Sequence, residues 1–243
     1  MVEQLAGAPV PASALETLVL PGRVPGYSPA LLDELTSAGE VVWSGAGGLP
    51  GGDGWLVLAP ADGAQLMLPE PGEVSMTPVH TAVLEVLGGG GALFFRMLSD
   101  RAAALLGGPA LPDDREVTAA VWDLVWAGLL TNDTLAPLRV ALSGQQRRAA
   151  PAAPGPRRPR PGPGGRRYGF GRPTMPTRTG PPTVSGRWSL LPGREPDGDA
   201  RVGRNGAQTV RAHTLALTLL ERHGVLTRGA VAAERIPGGF AAV

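Results

Sequence analysis

Between residues 143 and 182 the side chains able to do chemistry are almost all guanidinium groups. They are Arg147, Arg148, Arg157, Arg158, Arg160, Arg166, Arg167, Arg172 and Arg178, with Tyr168 and Phe170 set among them. A guanidinium neutralises a phosphate whatever the base sequence, and an interleaved aromatic ring stacks on an unpaired base. The rest of the stretch is largely Pro, Gly and Ala, with too little apolar surface to offset the entropy of ordering. It reads as an extended, disordered linker. Three roles fit it: a sequence-independent nucleic-acid tether, a plain spacer into which a GC-rich genome has written Arg and Pro, or a basic arm that meets an acidic part of the same chain or of another subunit.

Other candidates are fewer. Trp43 and Trp55 flank a glycine-rich loop at 45–54. In paired strands they would meet across the base of a hairpin, either as packing or as a surface for a splayed base. Arg115 is the one base in the amphipathic run 113–126. His80, His213 and His223 are the only histidines; His80 and His213 read as polar residues near a helix N-terminus, and His213 and His223 are ten apart with no carboxylate at ligand spacing, so no metal site is expected. Asp113 and Asp114 precede a helix and read as caps rather than an acid–base pair. The glycines at 88–91 follow a helix instead of opening one, so they mark a turn and not a phosphate cradle. Ser44 has no His or acid placed to activate it. The chain contains no cysteine and no lysine. Disulfides, thiolate metal sites and a G-x-x-x-x-G-K-[ST] phosphate loop are therefore excluded, and no cofactor is expected.

The elements that must position these groups repeat. Residues 34–41 (ELTSAGEV) and 123–130 (DLVWAGLL) share acid, Leu, two residues, Ala-Gly, one residue and an aliphatic. Gly39 and Gly128 fall where a helix ends in a left-handed cap. His80-Thr81, Leu84, Leu87, Gly91 and Leu93 recur at one offset as His213-Thr214, Leu217, Leu220, Gly224 and Leu226. Each set predicts a helix, a glycine stop and a short apolar strand. The first unit has helices at 12–19 and 28–38 and an apolar hairpin at 40–59, its opening helix reduced to Glu3-Gln4-Leu5. The second has helices at 78–87, 96–106 and 113–126, closed by Leu129-Leu130 and 138–142. The third has helices at 210–223 and 228–235. Trp188 predicts a short strand at 187–191 that joins a sheet lying outside the chain.

Helix, helix, recognition helix and wing is the winged-helix layout. The expected fold is α+β: tandem winged-helix modules, incomplete at both ends, joined by a disordered Arg/Pro/Gly-rich linker. The boundaries are 1–76, 77–143, linker 144–208, and 209–243. A chain cut within its first and third units reads as a fragment of a longer protein and should leave apolar edges exposed.

Charge is segregated along the chain. Residues 1–133 carry 4 Arg and 16 acids, whereas 134–194 carry 12 Arg and no acid. The first recognition helix offers Asp33 and Glu34 and no base, which argues against simple groove reading and for packing on a partner. No signal peptide or apolar span is visible, and the absence of cysteine fits a reducing cytoplasm.

Four stretches carry a resemblance: LPGRV at 20–24, LLDELTSAGEVVWSGAGGLPGGDGW at 31–55, GRWSLL at 186–191 and RHGVLTRGAVAAERIPGGFAAV at 222–243. They resemble the C-terminal region of the Lhr-type large helicase-related proteins of actinobacteria. The resemblance implies a DNA-repair helicase whose ATP-driven motor moves on single-stranded DNA, with a C-terminal array of winged helices and a β-barrel that helps self-association. Without lysine this chain cannot hold the motor's phosphate loop. The expected role is non-catalytic nucleic-acid engagement and assembly. The expected partners are single-stranded or tailed DNA, the helicase core of the same polypeptide and further copies of the chain, with no membrane. The alternatives are a pure protein-interaction scaffold and a DNA-glycosylase-related module.

Overall fold

A computed structural model describes residues 1–107, 112–149, 180–193, 204–236 and 238–243. The first unit runs α1 (Val2–Leu5), β1 (Val10–Pro11), α2 (Ala12–Ala14, continued by a π turn over Leu15–Val19), α3 (Pro29–Ser37), β2 (Val41–Gly48) and β3 (Gly54–Pro60). Its antiparallel sheet has the order β1-β3-β2. The second runs α5 (Pro78–Gly88), β4 (Leu93–Phe94), α6 (Phe95–Leu106), α7 (Asp114–Trp126), β5 (Leu130–Asn132), α8 (Ala136–Ala149) and β6 (Arg187–Leu190), after α4 (Ala64–Met67). Its sheet order, β4-β6-β5, is the same pattern. Apart from the added α8, element order and strand order repeat, and both units are winged helices of α+β class.

Local chemistry explains the helix ends. Ser28 is extended and Pro29 opens α3 with its fixed φ. Thr77 and His80 form a capping box on α5, and Asp113 and Glu116 form one on α7. Both recognition helices stop in the same way. Gly39 has φ +75° and Gly128 +74°. The Glu40 N–H reaches the Leu35 carbonyl and the Leu129 N–H the Leu124 carbonyl, each at 3.0 Å. That is a Schellman cap, and a left-handed residue is needed to make it.

The two units share one core. Trp43 and Leu56 from the first belong to the same buried cluster as Leu87, Val121 and Trp188 from the second. In the third unit, α9 (Arg204–His223) and α10 (Arg228–Ala233) lie against the first, with α9 touching α1 and α4. Among the described residues, no helix is long and apolar enough to cross a membrane.

Four expectations are corrected. The closing segment at 138–142 is helical, because Leu135, Leu138 and Leu142 recur at helix spacing and Pro137 sits in the first turn of α8. The strand containing Trp188 does not await an absent sheet: β6 fills the gap between β4 and β5. It lies inside 144–208, the stretch expected to be linker. The Arg-rich stretch is therefore inserted in the second unit, between the two strands of its wing, and does not simply connect two units. Leu226 belongs to no strand, unlike Leu93.

Candidate nucleic-acid interface

A winged helix normally offers its recognition helix and wing to DNA. In this chain the first unit spends both on its neighbour. Asp33 of α3 accepts from the Leu135 backbone N–H at 2.9 Å and from Arg139 Nη1 at 2.6 Å. Arg139, on α8, also grips Glu16 through Nε at 2.6 Å and Nη2 at 2.8 Å. The Tyr27 hydroxyl donates to the same carboxylate at 2.5 Å. Burial opposes the charge on Arg139, but the bonds to Glu16 and Asp33 outweigh it and hold the guanidinium above its usual range. Burial first, and then the bond to Glu16, push the Tyr27 phenol above its ordinary value.

The first wing lies on α7. A Cβ at Gly45 would fall 2.2 Å from the Val125 carbonyl oxygen, and one at Gly54 would fall 2.3 Å from the Trp126 ring. These glycines are glycines because the second recognition helix occupies their side-chain space. Two hydrogen bonds fix the register: Trp43 Nε1 donates to the Asn132 carbonyl at 2.9 Å, and Thr131 Oγ1 donates to the Trp43 carbonyl at 2.7 Å. Trp122 packs against Trp126 with the rings tilted by 32° and their centroids 5.7 Å apart, and meets Trp188 edge-on at 6.0 Å. The C-terminal half of α7 is thus an internal packing face.

The residues singled out from sequence are dispersed. Trp43 is fully buried, opposite Leu58 and not opposite Trp55, so its ring is closed to a base. Trp55 is opposite Pro11 and half-buried, with the Arg235 guanidinium carbon 4.2 Å from its ring centroid. Arg115 is exposed in the first turn of α7. Arg147 and Arg148 lie on the last turn of α8. Arg157, Arg158, Arg160, Arg166, Arg167, Tyr168, Phe170, Arg172 and Arg178 lie outside the described residues. The chain leaves from α8 and is described again at Gly180, which abuts the Phe95 ring.

Two clusters escaped the sequence reading. One is Arg139 with Glu16 and Asp33, distant in sequence and without a motif. The other surrounds Phe94, which is 61% exposed beside fully buried Phe95. Phe94, Arg96, Met97, Asp100, Arg101 and Ala104 line an open concavity of about 430 Å³. The Phe-Phe doublet at a strand-to-helix junction was the available signal, since successive side chains leaving a strand point to opposite faces. A second concavity, of about 480 Å³, lies where α9 and α10 meet the first unit; Glu234 at its edge is bonded by both Arg222 and His223.

The same units occur in known proteins. The family model described as "Large helicase-related protein, winged-helix domain" matches at residues 1–61, and a second model of that description matches at 205–243. A Mycolicibacterium smegmatis protein described as "Lhr helicase/ probable uracil glycosylase" is 50% identical over 241 residues, covering 99% of this chain and 15% of the relative. An Escherichia coli protein described as "Lhr helicase/uracil glycosylase" is 37% identical over 243 residues, with the same coverage. The chain therefore spans about 15% of the length of the curated relatives it matches. By these matches it belongs to the Lhr-type large helicase-related family, as a C-terminal stretch built from that family's winged-helix units.

Proposed function

We propose that this chain is a non-catalytic nucleic-acid-engaging and assembly region that serves an ATP-driven DNA-repair motor carried elsewhere in a longer polypeptide. Its nucleic-acid ligand is single-stranded or tailed DNA, and its contacts come from the Arg-rich insert in the second wing. The observation that carries this reading is topological. Twelve arginines and no acid fall in 134–194, and most of them lie between β5 and β6, where a winged helix places the loop that reaches for phosphates. The reading agrees with the helicase named in both relatives. It assigns no glycosylase chemistry to this chain: Glu234, the carboxylate at the more enclosed concavity, is already bonded to Arg222 and His223.

The test is fluorescence anisotropy with a labelled single-stranded oligonucleotide at several salt concentrations. The whole chain is compared with a variant whose arginines from Arg147 to Arg178 are replaced by Ser. The expected result is binding with a steep salt slope that is lost in the variant. Equal binding by both proteins would sink the proposal.

A second reading has its own observation. The covered wing and the Arg139 clamp suit a protein scaffold, and Val210, Leu217 and Leu220 of α9 are exposed apolar side chains that suit a further protein surface. Absence of DNA binding together with concentration-dependent self-association would favour that scaffold.

A further inference from the structure

Phe94 and Phe95 are neighbours with opposite surroundings. Phe95 is 1% exposed and lies under Gly180, while Phe94 is 61% exposed at the end of β4. Met97, 46% exposed, follows on α6. Arg96 reaches Asp114 at 3.4 Å only, and no described residue bonds to the exposed Arg101 guanidinium.

We propose that this patch is a stacking site for an unpaired base of single-stranded nucleic acid. Phe94 is the platform, Met97 the wall beside it, and Arg96 and Arg101 the ligands for the flanking phosphates. The proposal rests on the reading that the chain engages nucleic acid, and gives that engagement a place on the folded body. An exposed ring between guanidinium groups is the arrangement that sequence-independent single-strand binding uses. In sequence, Arg178, the last arginine of the basic stretch, stands two residues before Gly180, which lies against Phe95, the neighbour of Phe94.

Charge selects the ligand. Asp100 lines the same concavity, and residues 1–133 hold 4 Arg against 16 acids. A duplex, with about one negative charge per 1.7 Å, is repelled by such a surface more strongly than a single strand, which has half that charge density and unpaired bases free to stack on Phe94. The patch therefore takes a single strand in preference to a blunt duplex.

The test uses the whole chain and an oligodeoxynucleotide carrying 5-iodouracil, photocrosslinked and mapped by mass spectrometry. It is paired with anisotropy on Phe94→Ala, Phe94→Tyr and Arg101→Ser. Phe94 is mostly exposed, so its truncation should leave the melting curve unchanged. The expected result is crosslinking within 94–104 and binding roughly fivefold or more weaker in Phe94→Ala. Phe94→Tyr should keep its affinity, and Arg101→Ser should lower the salt slope by about 0.7. Wild-type affinity in Phe94→Ala and Arg101→Ser, with binding lost in the Arg-to-Ser insert variant, would overturn the platform and leave the insert's role standing. No binding by the wild-type chain at low salt would overturn both. Loss of self-association in Phe94→Ala with DNA binding intact would make this face an interface between copies, and would also overturn the platform.

Discussion

The first and second wings follow identical helix caps and then diverge. The first is a short hairpin, β2 and β3, whose glycines bring its backbone onto the neighbouring recognition helix. The second opens between β5 and β6 and carries the basic insert. What differs is the connection, not the sheet: strand order is the same in both. In one copy of the repeated unit the wing is an internal packing surface, and in the other the wing's two strands are joined by the longer connection. The first wing lies within acid-rich residues 1–133, and the connection from β5 to β6 lies almost wholly within acid-free 134–194.

The largest effect is expected from forcing the first wing off α7. Gly45→Ala puts a methyl 2.2 Å from the Val125 carbonyl oxygen, a backbone atom that cannot turn aside. The expected cost is about 3 kcal/mol, read from denaturant unfolding. An unchanged midpoint would mean that the wing and α7 are not in contact.

Arg139→Ala is next. It strips Glu16 and Asp33 of their shared cation while both remain largely shielded, with side-chain exposures of 15% and 28%. Partial exposure softens the penalty, so about 1–3 kcal/mol is expected. A double-mutant cycle with Asp33→Ala should show coupling between α3 and α8, and additive effects would contradict the clamp.

Tyr27→Phe has the smallest effect and the clearest pH signature. The phenol is held above its ordinary value in the folded chain, so the unfolded chain ionises first. Its contribution is complete below about pH 10, the unfolded value, and is lost as pH climbs toward the folded one. The variant should lose about 1 kcal/mol near neutrality and show a flatter alkaline decline in melting temperature. Parallel alkaline limbs would count against the bond to Glu16.

The helices were legible because their signals are local. Ser28-Pro29, Asp113 with Glu116, and the Ala-Gly stops at Gly39 and Gly128 each act within a turn. The second wing was not legible, because Thr131 pairs with Ser189 across a basic stretch that has no pairing signal of its own. The segment at 138–142 misled for a related reason: a short apolar run is ambiguous until its neighbours at Leu135 and Pro137 are counted. Within the candidate site, the arginines announced themselves by composition, while Phe94 was hidden beside a residue of its own kind. Trp43 shows the converse. Its indole was open to packing or to base stacking; it packs, and locks the two units through Asn132.

On the proposed function, the second wing meets nucleic acid and the first does not. Hydrogen–deuterium exchange of the whole chain at low salt, with and without a single-stranded oligonucleotide, measures this directly. Slowed exchange in α6, at the end of α8 and across the Arg-rich insert, with the Gly45–Gly54 hairpin unchanged, is the predicted result. Protection of that hairpin and of α3, with none in the second unit, would contradict it.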